Sequence, residues 1–352
     1  MLPRRTIARA GFAAIMLLAG PPTARAQIAG WQTFGPLLTS VNAISTAADS
    51  EATVYAGASQ YDASQSALFG STDGGQTWDA LLEAERGDYL SEILSDPRDS
   101  SRIFAGMLGA GGITKIFRST NRGDTWSLLL SISNPCVPSF AVGDGPDGIL
   151  FACGTRFFRS GDGGLTWAQP ATPFTETTSL AAAPGGTLYA HGDTKIFRSA
   201  NAGDTWTAAA DAPAGCPGLL VLRLDPSNPN VFIAGTGRLG AGGFQCGGVY
   251  RSENAGGTWA ASALAGVYVT DLAVDAADPS TFYASASYVP GILPRGGVFR
   301  TGDGGATWQD LRLPTFSALH LALSPSGRLL HAATPLGAYE LRIRKTRVIE
   351  PR

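Results

Sequence analysis

The sequence predicts an all-β protein: a single seven-bladed β-propeller of four-stranded antiparallel blades, closed by the N-terminal strand joining the C-terminal blade. Three observations predict it. A box of the form S-x-[D/N]-x-G-x-x-W recurs six times, with Thr for Ser in the last copy. Each box follows a short apolar-aromatic strand such as KIFRS, GVYRS or GVFRT, with two more strand-like runs upstream, as in LVLRLD and NVFIAGT. A further set of three runs, ALHLALS, RLLHAAT and GAYELRI, follows the last box and has no box of its own.

In chain order, residues 1–26 come first. A basic start (Arg4, Arg5, Arg9), an apolar run from Ala10 to Ala19 and an Ala24-Arg25-Ala26 ending predict a cleaved export signal. The run is shorter than the ~20 residues that span a bilayer, and no transmembrane segment is expected. The arginine pair also resembles a twin-arginine signal, so Sec and twin-arginine export both stand. A periplasmic or secreted bacterial protein is expected.

Residues 27–345 form the predicted propeller. The boxes are Ser71–Trp78, Ser119–Trp126, Ser160–Trp167, Ser199–Trp206, Ser252–Trp259 and Thr301–Trp308, with tryptophans 39 to 53 residues apart. Trp31 lies 47 residues before Trp78 with no strands ahead of it. Its strand is therefore expected to complete the last blade, which removes both free sheet edges. Residues 346–352 make a basic tail. The formal charge is −2, and removing the four signal arginines brings it to −6 (22 basic against 28 acidic). That balance excludes a basic nucleic-acid binder.

Within each box, an Asp or Asn side chain can accept backbone N–H bonds across the turn, and the Ser hydroxyl adds another. The fifth-position glycine tolerates positive φ, and the tryptophan anchors the outer strand. Three boxes carry Asp73, Asp162 and Asp303, and three carry Asn121, Asn201 and Asn254. Asn keeps the acceptor but loses the charge, which a general acid or hard-cation site would not tolerate. The boxes read as structural.

This repeat resembles the Asp-box, or BNR repeat, of sialidases, sortilin-type receptors, xyloglucanases and the photosystem II assembly-factor family. Sialidases add an Arg-Ile-Pro segment, an arginine triad and a tyrosine–glutamate pair, and this chain has no Arg-Ile-Pro. Xyloglucanases of this type place their acids between two seven-bladed propellers, whereas one propeller uses this whole chain. The resemblance to the single-propeller assembly factors implies a protein partner.

The blade map pairs Cys136 with Cys153 and Cys216 with Cys246 as local disulfides, each worth ~3 kcal/mol. A hairpin through SPSG would set His320 opposite His331, a packed polar pair rather than a metal site. No metal, cofactor or catalytic residue is expected, since no nucleophile elbow, P-loop or zinc motif occurs. Long loops on one face carry Tyr61, Asp62, Arg238, Phe244, Tyr288 and Arg295, with Tyr89 and Tyr268 beside them. Aromatics and arginines are the residue types that anchor interfaces. The expected function is an exported, monomeric scaffold binding a protein partner through these loops. The alternative is a carbohydrate-active protein, a glycoside hydrolase or glycan-binding module, using the same face.

Overall fold

The structure, a computed structural model, describes residues 30–343 apart from 36–39, 60–65, 110, 134–138, 143–147, 154–155, 175–176, 184, 193, 215, 217, 241–242, 289–290 and 292–295. The expected signal (1–26) and basic tail (346–352) lie outside the described residues, as do Tyr61, Asp62, Cys136 and Arg295.

All regular structure among the described residues is β. Strand β1 (Trp31–Phe34) precedes the first blade, β2 (Ser40–Thr46), β3 (Val54–Ser59), β4 (Ser66–Ser71) and β5 (Asp79–Glu83). The second blade is β6 (Tyr89–Ser95), β7 (Ile103–Leu108), β8 (Thr114–Ser119) and β9 (Ser127–Ile132). The third sheet is β10 (Ser139–Val142), β11 (Ile149–Cys153) and β12 (Arg156–Ser160). The fourth blade is β13 (Thr177–Ala182), β14 (Leu188–Gly192), β15 (Lys195–Ser199) and β16 (Thr207–Asp211). The fifth is β17 (Leu219–Asp225), β18 (Asn228–Gly240), β19 (Gly243–Ser252) and β20 (Ala260–Ala265). The sixth is β21 (Tyr268–Val274), β22 (Phe282–Ser287), β23 (Gly297–Thr301) and β24 (Gln309–Asp310). The closing blade joins β25 (His320–Leu323), β26 (Leu329–Thr334) and β27 (Gly337–Arg342) to β1.

The inner strands β2, β6, β10, β13, β17, β21 and β25 pack each on the next, and β25 returns to β2, so the sheets close a propeller ring. Strand β1 runs antiparallel to β27, with Trp31 opposite Leu341 and Phe34 opposite Ala338. This seals the ring by joining the two ends of the described chain.

Among the described residues, the expectation of seven four-stranded blades is corrected to six. The third sheet has three strands, and its outer segment is reduced to a bridge between Arg159 and Ala168. Pro170 and Pro173 follow at once. Proline has no N–H to continue a ladder, so this segment cannot extend as an outer strand.

Strands packed on both faces have little room for charge. All six residues of β3 (VYAGAS) are buried, and in the second blade β7 is buried through Ile103, Phe104, Ala105 and Met107. The box tryptophans set edge to face on phenylalanines: Trp78 on Phe34 at 5.2 Å, Trp206 on Phe157 at 5.2 Å and Trp308 on Phe282 at 5.2 Å. Two of these contacts cross between neighbouring sheets, so the repeat's most conspicuous residue also ties one sheet to the next.

Candidate functional site

The boxes lie at the turns from third to outer strand. In the first, Ser71 Oγ donates to Asp73 Oδ1 at 2.8 Å and accepts from Gly75 N at 2.8 Å. Asp73 Oδ1 accepts from Thr77 N at 2.9 Å, and Thr77 Oγ1 donates to Oδ2 at 2.6 Å. The Thr77 hydroxyl and N–H hold the Asp73 carboxyl down to about 2. In the Asn boxes the same Thr N donates to the Asn oxygen, while Asn121 Nδ2 donates to Thr125 Oγ1 at 3.0 Å. Reversing one hydrogen bond makes the two residues interchangeable. The carboxylates are spent on their own turns.

The fifth-position glycines have positive φ, 76° at Gly75 and 88° at Gly203. The structure adds a feature not readable from residue type. The fourth position is also left-handed, even where it is Arg122 (56°), Ala202 (54°) or Ala255 (55°).

On the opposite face, the second-to-third strand turns and the loops from each sheet's last strand to the next sheet's first form an uneven rim. Part of it is the β18–β19 hairpin, which continues beyond the blade with Gly237 opposite Gly247 and Arg238 opposite Cys246. The Cys216–Cys246 disulfide ties it to the loop entering the fifth blade, with Cα atoms 5.6 Å apart. Tyr268 of the sixth blade lies against Gly237, where a Cβ would meet its ring, and Phe244 folds over Gly247. The hairpin and Tyr268 therefore form one unit, with Arg238 exposed on its outer side. Tyr89 stands apart at the second blade, 37% exposed. Tyr288 pairs instead with Phe316, 5.6 Å between ring centroids, a residue that sequence reasoning passed over.

A second unpredicted feature lies on the propeller axis. β-bulges recur at one level of the inner strands, between Leu90 and Glu92 and between Val269 and Asp271 among others. A bulge re-aims the following side chain. Glu92 feels the charges of His320, Asp271 and Arg223, which come from inner strands across the ring, so it points toward the axis. Burial pushes its carboxyl up to about 7, although its surface stays partly open to water. Asp271 is closed off: Arg223 Nη2 reaches Oδ1 at 2.6 Å, Leu272 N donates to Oδ1 at 2.8 Å and Leu321 N to Oδ2 at 3.0 Å. His320 Nδ1 lies 3.7 Å from Oδ2. Two hydrolytic carboxylates must both face substrate, and Asp271, 4% exposed, does not. The axial acids are no such pair.

His320 is not opposite His331. Leu323 pairs with Leu330, and His320 with Ala333. Ser324 closes a longer turn by bonding Leu329 through both backbone and Oγ, which moves the register by two residues. His331 is buried against Phe34, and burial lowers its imidazole to about 4. Among the described residues no group of three or more His, Cys, Asp or Glu could hold a metal ion. A surface groove of about 650 Å³, lined by Gln309, Asp310, Leu311, Arg312 and Leu341, sits on the outer flank between the sixth and closing blades, away from both features.

No family model matches the chain. It is similar to a xyloglucanase of a Paenibacillus species, 28% identical over 268 residues, covering 70% of this chain and 24% of that protein. It is also similar to xyloglucanase Xgh74A of Acetivibrio thermocellus, 26% identical over 302 residues (67% and 34%), and to a xyloglucanase of Hypocrea jecorina, 24% identical over 310 residues (80% and 33%). The chain thus spans a quarter to a third of the length of these relatives. Among solved structures, the GH74 xyloglucanase of Xanthomonas campestris superposes with a TM-score of 0.69 at 17% identity, over 89% of this chain and 53% of that one. YCF48 bound to D1 peptide superposes with a TM-score of 0.62 at 16% identity, over 91% and 99%. Both likenesses show the propeller fold. No helix among the described residues is long and apolar enough to cross a membrane.

Proposed function

We propose that this protein is an exported, monomeric carbohydrate-active propeller that binds a neutral β-glucan chain such as xyloglucan across its rim face. The sequence likeness to xyloglucanases over 67–80% of the chain carries this reading. The alternative of a glycan-bearing face thereby displaces the protein scaffold as first choice. Binding, rather than cleavage, is the activity we assign. The axial Asp271 is withdrawn from substrate. We read the repeats as Asp-boxes and the three-stranded third sheet as a seventh blade shorn of its outer strand. The disulfide at Cys216 fits a compartment outside the reducing cytosol, in keeping with a cleaved signal over residues 1–26.

Affinity electrophoresis in gels containing xyloglucan, run beside a reducing-sugar assay, tests this. Retardation by xyloglucan without release of reducing ends is expected. No retardation by any neutral glucan, together with capture of one protein through the same face, would overturn it.

A further inference from the structure

We propose that Phe316 and Tyr288 form a preset stacking subsite for one pyranose ring of a neutral glycan. This deepens the glycan-binding reading and rests on it. Phe316 is 75% exposed, the most open of the large apolar side chains among the described residues. Exposure alone is ordinary for one residue. The difference here is that its backbone is clamped on both sides while its ring is left out.

Ser317 Oγ accepts from Tyr288 N at 2.9 Å and donates to Tyr288 O at 3.1 Å, locking the loop before the closing blade to the loop of the sixth blade. On the other side, the buried Thr315 donates through Oγ1 to Ser317 O at 3.0 Å. Beneath the clamp, Gly296 lies so close to the Phe316 carbonyl that a Cβ there would not fit. Tyr288 is tilted 52° against the Phe316 ring, which is otherwise largely exposed. A fixed aromatic loses little freedom on binding, so a ligand meets it without the cost of ordering a loop.

The chemistry around the pair selects the ligand. Apolar ring faces suit the C–H face of a pyranose, and the adjacent Ser287 hydroxyl, 3.4 Å from the clamping Ser317 Oγ, suits its hydroxyl edge. The clamp contains no charged side chain. The chain with its signal removed carries −6, which disfavours acidic glycans and leaves neutral ones.

Isothermal titration with a xyloglucan oligosaccharide, using the full mature chain, tests the subsite. Phe316→Ala is expected to weaken binding at least about ten-fold with an unchanged melting midpoint. Phe316→Trp should hold or tighten it, and Leu336→Ala, at another exposed apolar residue (65%) on the same face, should leave it unchanged. Wild-type binding that survives Phe316→Ala within about two-fold would overturn the subsite and leave the glycan reading standing. Absence of wild-type binding to any neutral glycan would instead remove that reading, and the subsite with it.

Discussion

Arg223 and Asp271 meet at 2.6 Å where the fifth blade abuts the sixth. The same carboxylate accepts the N–H of Leu321 in the closing blade at 3.0 Å, so one side chain joins three consecutive inner strands. Asp271→Ala leaves two N–H groups and a guanidinium without their acceptor. Breaking a buried pair on one side costs about 3–5 kcal/mol, and Arg223 is 39% exposed at its side chain, so the lower end is expected. Asp271→Asn keeps one acceptor and should cost about 1–2 kcal/mol. Urea unfolding checks both. Equal stability of the two variants would show that the carboxylate's hydrogen bonds contribute little.

Glu92 and His331 predict opposed pH dependences. Burial raises Glu92 from 4.5 to about 7, so the folded state holds a proton that the unfolded chain has released. That contribution to stability is lost as pH rises from 4.5 to 7. Burial lowers His331 from 6.5 to about 4, so the unfolded chain takes up a proton first. Stability from this group is lost as pH falls from 6.5 toward 4. Each slope approaches about 1.4 kcal/mol per pH unit, and between 4.5 and 6.5 they offset. Glu92→Gln should unmask a profile that rises with pH in this window, and His331→Phe one that falls. Melting midpoints measured from pH 4.5 to 8 decide it. Parallel profiles for wild type and both variants would refute the assignment.

What could be read from the sequence and what could not divide along physical lines. The boxes and the closing role of Trp31 were legible because each rests on residues near one another in the chain or on a count of repeats. The missing outer strand of the third sheet was readable in Pro170 and Pro173 but was averaged away by the repeat. The His320–His331 register failed because it turned on how Ser324 closes one loop. Glu92 and Asp271 carried a signal, charge at matching places in two otherwise apolar inner strands (YLSEILS, YVTDLAV), while Arg223 stands at a different place in its own (LLVLRLD). Their meeting across the ring is a long-range fact that no spacing encodes. Phe316 sits in a loop without pattern, and only its clamp to Tyr288 sets it apart.

Gly75 offers a test of the closure. Its φ of 76° is left-handed, and a Cβ on it would strike the Phe34 ring of β1. Gly75→Ala thus combines backbone strain, about 1 kcal/mol, with displacement of the strand that seals the ring. We expect a loss of about 3 kcal/mol or more. Gly161→Ala, in the third box, meets nothing within 4 Å and should change stability by less than about 0.5 kcal/mol. Comparable melting shifts for the two variants would mean that β1 does not depend on this approach.

The Cys216–Cys246 bridge closes a loop of sequence separation 30, which by chain entropy stabilises the fold by about 3–4 kcal/mol. Its effect should be local as well as global. The hairpin beyond Gly237 is held by its own ladder, by Tyr268 and by this bond. The double variant Cys216→Ser, Cys246→Ser is expected to lower the melting midpoint. It should also raise amide exchange at Arg238, Leu239 and Phe244 well above that at Phe232 and Ile233 in the same strand pair, because those two residues are fully buried within the blade. Uniform loss of protection along β18 would instead show that hairpin and blade open together, and that the bond serves the whole sheet rather than the rim.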